Sequence, residues 1–304
     1  MVNLYVGITD YDWFRFLAAM RGVDEVNFWQ PGGRTNFQAI RAGELFLLKL
    51  HAPRNFIVGG GVFARADILP TSLAWEAFGA SNGAPSLAEM RRRIAFYRGV
   101  PEDPRQDYSI GCRVLTQPFF LPDDQWIPIP PSWSRHIQQG RTYDADGGDG
   151  RLLWEAVVER SALQAEPAVA APRHGEPTLL RPRLGQGAFR ISVTSVYQHR
   201  CAVTGERTLP ILDAAHIRPY EQGGEHDVRN GLLLRTDIHR LFDKGYVTVS
   251  NDGRFEVGER LKADFENGRS YYAMHGQPIA PPRDPRSRPS REALEWHQAN
   301  RFLG

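Results

Sequence analysis

The run Leu212-Asp213-Ala214-Ala215-His216-Ile217-Arg218-Pro219, read with Asn230-Gly231-Leu232 and Asp237-Ile238-His239-Arg240-Leu241-Phe242-Asp243, decides how the second half of this chain folds. Ile211, Leu212 and Ile217 are apolar and Pro219 closes the run, which predicts a short strand entering a loop with His216 near its end. From Asn230 the chain passes through Leu232, Leu233 and Leu234 into a short helix, with Thr236 or Asp237 as its N-cap and Lys244-Gly245 as its stop. On that helix His239 and Asp243 are i and i+4 and share one face.

Two helix ligands and a histidine on the facing strand make a compact set in which imidazole and carboxylate can hold a divalent ion. The strand histidine is then free to act as a base. Phosphodiester hydrolysis needs that division of labour: a neutral imidazole takes a proton from the attacking water while a metal stabilises charge on the phosphate and the leaving 3′ oxygen. Asn230, bonding to backbone, would fix the loop between the two histidines. His226, by contrast, reads as a core or solvated histidine.

Several spaced motifs together resemble the HNH nucleases of bacterial restriction type, whose ββα-metal motif carries His, Asn and His in this order. They are Cys201-Ala202-Val203-Thr204-Gly205, Ala214-Ala215-His216-Ile217, Asn230-Gly231-Leu232-Leu233-Leu234 and His239-Arg240-Leu241-Phe242-Asp243-Lys244-Gly245, within roughly residues 181–262. The resemblance implies that His216 is the general base, Asn230 the structural asparagine and His239 a metal ligand, with Mg²⁺, Mn²⁺ or Ni²⁺ as the ion. It also implies products with 5′-phosphate and 3′-hydroxyl ends. Many members carry a ligand directly before the base, where this chain has Ala215. Either Asp243 completes the site from the helix, the favoured reading, or Asp213 does so from the strand.

The chain has 304 residues, enough for two ordinary cores, and a formal net charge of only +2. No global basic field announces nucleic acid, so any attraction must come from local patches. Of 37 basic residues only 49, 244 and 262 are lysine. Arginine suits phosphate through its planar fork, although such a bias accompanies GC-rich coding equally well. Arg183, Arg190 and Arg218 are the candidates for the DNA backbone. Two cysteines, Cys112 and Cys201, support neither a disulfide framework nor a zinc knuckle. The first residues lack a basic and then long apolar leader, and no apolar run of about 18 residues occurs, which reads as an unexported cytoplasmic protein with no membrane partner.

In the first half, Val2, Leu4 and Val6 alternate as a strand broken by Gly7, and a helix follows from Asp10. A Gly-rich loop, Val26 to Arg34, opens on an aromatic pair. Glu44 to Leu50 and the glycine-interrupted Phe56 to Ala66 read as strands, the glycines marking a bulge or the close approach of another backbone. Residues 86–97 form an arginine-rich helix, Tyr108 to Leu115 and Phe119 to Leu121 add strand, and the proline-rich run to Trp133 ends the sheet. Tyr143 to Gly150 reads as an exposed turn.

This order resembles the PUA-like group, particularly EVE-type readers, over about 1–145. The resemblance implies a small barrel that takes an extruded modified base into an aromatic pocket. Base capture needs stacking surfaces and a few hydrogen bonds to the base edge. Trp29, Trp75 and Phe28 are the stacking candidates and Asn36 the edge contact.

The expected architecture is α+β: a PUA-like β-barrel reading domain over 1–160, a linker over 161–180, and a ββα-metal HNH domain over 181–304. Residues ahead of Arg200 form a helix or, given their β-branched content, a strand. Tyr246 to Val249 and Arg254 to Val257 flank Asn251-Asp252-Gly253 as a hairpin. An HNH site demands little of sequence, because it works on the common backbone. The combined expectation is a modification-dependent DNA endonuclease of restriction or phage defence. It would act on double-stranded DNA bearing methyl- or hydroxymethylcytosine, as a homodimer, because two strands need two sites. The alternatives are a nonspecific HNH nuclease and an inactive DNA-binding protein.

Overall fold

The computed structural model describes residues 2–34, 36–164, 177–180 and 183–304. It divides into two compact units, Met1–Ala188 and Phe189–Gly304. Most of the stretch read as a linker, 165–176, lies outside the described residues.

The first unit is built on one mixed sheet. Its strands are β1 (Asn3–Thr9), β2 (Glu25–Asn27), β3 (Leu45–Leu50), β4 (Phe56–Pro70), β5 (Ser109–Phe120), β6 (Ile127–Pro128) and β7 (Gly140–Asp144). The order is β2-β5-β4-β3-β1-β7, with β6 beside β4. Among the described residues no hydrogen-bonded pairing joins β2 to β7, so the closed barrel expected from the PUA-like resemblance is not shown: the sheet is open. The two ends of the strand order are β2 and β7, and β2 has only three residues, so it presents few backbone groups for a closing seam. Within the sheet β4 shifts register twice against β5, between Gly60 and Val62 and between Phe63 and Arg65, bulges that bend and twist the strand.

The helices of this unit are α1 (Tyr11–Ala18), α2 (Thr71–Phe78), α3 (Leu87–Arg98) and α4 (Gly148–Gln164). Tyr5, Trp13, Phe14, Phe28 and Phe46 fill one core cluster; Leu4, Val6, Leu47, Leu153 and Trp154 fill another. Successive β1 residues therefore serve opposite faces of the sheet, as the strand period of two requires.

Three strand expectations need correction. Gly7 does not break β1 but pairs with Leu48 and Gly140 inside it. A Cβ there would meet the Phe46 ring at 2.6 Å, so glycine is required by packing. The sheet does not end at Trp133, because β7 adds to the free side of β1, where the sequence suggested only a turn from Tyr143. And β5 runs unbroken from Ser109 to Phe120. The Phe56 to Ala66 glycines do mark close approach: a Cβ at Gly60 would meet the Phe46 carbonyl oxygen at 2.5 Å.

Residues ahead of Phe189 belong to the first unit. The Leu180 amide donates to the Gly43 carbonyl at 2.9 Å, and the Glu25 carboxylate accepts from the amides of Gly185, Gly187 and Ala188 at 2.7–3.1 Å. The helix α5 (Gln186–Val196) settles the helix-or-strand question in favour of helix and contains the boundary.

In the second unit β8 (Leu212–His216) pairs antiparallel with β9 (Gly231–Arg235), and α6 (Thr236–Asp243) follows directly. The hairpin of β10 (Val247–Val249) and β11 (Phe255–Val257) closes over Gly253 at φ +77°. The helices α7 (Arg260–Phe265), α8 (Arg269–Tyr272) and α9 (Arg291–Asn300) complete it. Phe189, Val193, Tyr197, Leu232, Leu234, Ile238 and Phe242 share one core, which binds α5 and α6 to the β8–β9 pair. Among the described residues no helix is long and apolar enough to cross a membrane.

Candidate functional site

His216 is the last residue of β8 and lies opposite Gly231 of β9. Its ring stacks on Phe189 of α5 at 3.8 Å with 12° between planes. Gly231 makes this possible, since a side chain there would collide with Val193 and Phe189. Burial, reinforced by the nearby His226 and His239 rings, pulls the His216 imidazole down to about 4. At neutral pH it is uncharged, as a base must be.

Asn230, 7 % exposed, ties the loop to the strand end. Its Oδ1 accepts from the Arg218 amide at 2.9 Å, and its Nδ2 donates to the carbonyls of Arg218 at 2.8 Å and Glu225 at 3.0 Å. Three bonds from one buried amide hold both ends of the 218–225 segment.

On α6 the His239 ring sits between two carboxylates. Asp213 of β8 faces Nδ1 at 3.3 Å and Asp243 faces Nε2 at 3.3 Å. The sequence singled out both aspartates, and both reach the same ring, but from opposite edges. The three form a chain, not a cage, and among the described residues no three His, Cys, Asp or Glu side chains converge on one point. An ion can take only one ring nitrogen, so Asp243 beside Nε2 and Asp213 beside Nδ1 stand as alternatives for the carboxylate that completes the site with His239. The donor set of imidazole and carboxylate still fits Mg²⁺, Mn²⁺ or Ni²⁺ held by two protein ligands, with water filling the shell. The remaining carboxylate would then accept the other ring N–H, an arrangement that orients a liganding histidine.

The sequence reading passed over His226. Its Nδ1 lies 2.9 Å from His216 Nε2, and its ring stacks on Tyr220 at 4.6 Å with 10° between planes. Burial lowers its pKa as well. The one sequence signal was the Gly223-Gly224 pair just ahead of it, which allows the chain to turn back toward β8; Gly223 adopts φ +83°. Of the residues proposed for DNA backbone, Arg183 is exposed and Arg190 half-buried. Arg218 is committed locally, its Nε donating to Gln222 O at 2.7 Å and its guanidinium lying 5.6 Å from the Trp296 ring.

The first unit carries a cleft of about 1290 Å³. Trp29, Phe28 and Asn36 line it, together with Gln30, Tyr97 and Arg113. Trp75 does not: it sits half-buried on α2 and is absent from the lining. Phe28 is 5 % exposed and packs against Trp13 and Phe46, so it serves as wall and core at once. Trp29 is half-buried, and its indole donates to the Asn82 carbonyl at 2.9 Å, which fixes the ring plane. Asn36 is exposed at the cleft and donates only weakly, to Ala66 O at 3.5 Å.

Residues 201–250 match the HNH endonuclease family model, a span that contains His216, Asn230, His239 and both aspartates. Among solved structures, a modification-dependent TagI restriction endonuclease aligns over 92 % of this chain and 76 % of its own, at 12 % identity and a TM-score of 0.29. No curated protein matches.

Proposed function

We propose that this chain is a metal-dependent DNA endonuclease whose second unit hydrolyses phosphodiesters and whose first unit selects DNA carrying a modified base. The observation that supports the hydrolytic reading is the pairing of a neutral, ring-stacked His216 with a His239 flanked by two carboxylates, inside the span that matches the HNH family. In the tautomer with its proton on Nε2, His216 donates to His226 and keeps a lone pair on Nδ1 for the proton of the attacking water. His226 then orients the base as a partner that disperses its charge once it is protonated. Asn230 acts through structure, holding the loop that returns from Arg218. His239 with one flanking aspartate holds the divalent ion, which when bound stabilises charge on the phosphate and the leaving oxygen.

The cleft of the first unit supports the selecting role by its aromatic walls and size, which suit an extruded base. Methyl- or hydroxymethylcytosine is the proposed mark, double-stranded DNA the substrate, and a second copy of the chain supplies the cut on the opposite strand. One observation favours a different reading, a non-cleaving DNA-binding protein: Ala215 stands where a ligand is common, and no three donors converge among the described residues.

Plasmid DNA incubated with Mg²⁺, Mn²⁺ or Ni²⁺ separates the two. Nicking that disappears in His216→Ala supports the nuclease; no cleavage with any ion leaves the binding protein. Matched substrates differing only in cytosine modification then test selection, and equal cleavage of both would remove it.

A further inference from the structure

Arg113, on β5, is a buried cation at the cleft for which the fold provides no counter-charge. It is 5 % exposed, and among the described residues no carboxylate pairs with it. The Gln30 side-chain oxygen accepts from Nη2 at 2.5 Å, while Nη1 is buried without any hydrogen-bond partner. Phe37 lies 4.2 Å from the guanidinium carbon, with Phe28 at 5.7 Å and Tyr5 at 5.9 Å. The ring faces stabilise the charge, but Nη1 gains no hydrogen-bond acceptor from them in place of water. Burial lowers the guanidinium pKa to about 10, the direction expected of a cation that has lost its hydration without gaining an anion.

A buried donor left open costs free energy and persists where a ligand completes it. The flanking residue types narrow the ligand. Gln30 and Arg113 are held together by their mutual bond and by the Gln30–Gly111 backbone pairing, so the fork is fixed in place before anything binds. A fixed guanidinium fork fits two adjacent acceptors in one plane. Cytosine presents such a pair as N3 and O2, and guanine as N7 and O6; each base-pairing or Hoogsteen edge of adenine sets its amino donor against one acceptor.

We propose that Arg113, braced by Gln30, reads the extruded base through a pair of adjacent acceptors, cytosine N3 and O2 in the first instance, and so is the residue that sets base identity in the cleft. This rests on the base-selecting role of the first unit. Trp29 and Phe28 then supply the walls, and the exposed Asn36 is not needed for the edge contact.

The test uses the full chain in EDTA, so that binding is read without cleavage. Fluorescence anisotropy compares duplexes identical except at one position, bearing 5-methylcytosine, N6-methyladenine or one of the plain bases, guanine included. The wild type is expected to favour the 5-methylcytosine duplex over the N6-methyladenine duplex, and Arg113→Met to reduce that ratio by about ten- to a hundredfold, because cytosine presents the N3 and O2 pair and adenine does not. Arg113→Lys should reduce it as well, because an ammonium lacks the fork. A lysine variant that keeps the ratio would mean a phosphate contact by charge alone and would overturn the proposal, as would an unchanged ratio in both variants. Preference for the guanine duplex would assign the same acceptor pair to guanine; preference for the adenine duplex would overturn it. Should the wild type discriminate nothing, the selecting role itself falls, and this inference with it. If the Arg113 variants fail to fold, Gln30→Leu decides, since loss of the brace should lower the same ratio and an unchanged ratio overturns the proposal.

Discussion

The two candidate sites of this molecule are built in opposite ways. In the second unit the histidines, Asn230 and the aspartates lie within residues 213–243, and each is held by a neighbour: a ring stack, a carboxylate or a backbone amide. In the first unit the cleft draws on residues from Tyr5 to Gln139, and its central cation has an N–H with no partner. The contrast teaches that the candidate nuclease site has its side chains held in place before any substrate arrives, the pre-organisation that the proposed hydrolysis would need. The cleft keeps an unmet donor, which would give a ligand something to complete, as the proposed selecting role requires.

The strongest way to break this comparison is His216→Ala. If the base is correctly assigned, nicking of plasmid DNA falls by about 10²- to 10⁴-fold, measured as initial rate at saturating metal. Activity equal to the parent removes the hydrolytic account. Next come Asp213→Asn and Asp243→Asn. One should weaken the metal dependence and the other only reorient the His239 ring, each by about ten- to a hundredfold in the metal concentration for half-maximal rate. Equal indifference in both would mean that His239 does not carry the ion.

Asn230→Ala sharpens the claim that the loop is structural. Three hydrogen bonds of a buried amide disappear, two of them leaving carbonyls to be re-satisfied, and the expected loss of stability is about 1–3 kcal/mol by thermal or urea unfolding. A melting curve identical to the parent would refute it.

The pH dependence follows from histidines held neutral. His216 and the buried His297 are each pulled down to about 4, against 6.5 for a free ring. Between those values the unfolded chain binds more protons than the folded one, so stability rises with pH through this window. The contribution is full above the unfolded value and is lost as pH falls toward 4. Unfolding midpoints should therefore drop between pH 6.5 and 4, and His297→Gln should shrink the drop without removing it. The smallest effect belongs to Trp75→Ala, which should leave discrimination between modified and plain duplexes unchanged while Trp29→Ala reduces it. The reverse pattern would relocate the cleft.

How much of this was legible beforehand follows the same division. The β8 strand ending at His216, the short α6 helix and the β10–β11 hairpin all stand close to where the local pattern put them. The barrel did not, because closure depends on which edges find each other across the whole sheet, a matter of long-range pairing that local pattern does not carry. Gly7 misled because a glycine required by a ring on the next strand looks, along the chain, like a glycine that stops a strand.

By itself the sequence determined the order and spacing of His216, Asn230 and His239, because a strand, a return strand and one helical turn have fixed rises that translate spacing into position. Only the tertiary structure decided that Asp213 and Asp243 take opposite edges of one ring, that His226 turns back onto His216, and that Arg113 lies buried beside Gln30. Those facts depend on contacts between segments far apart in the chain, where spacing carries no distance and packing alone sets who meets whom.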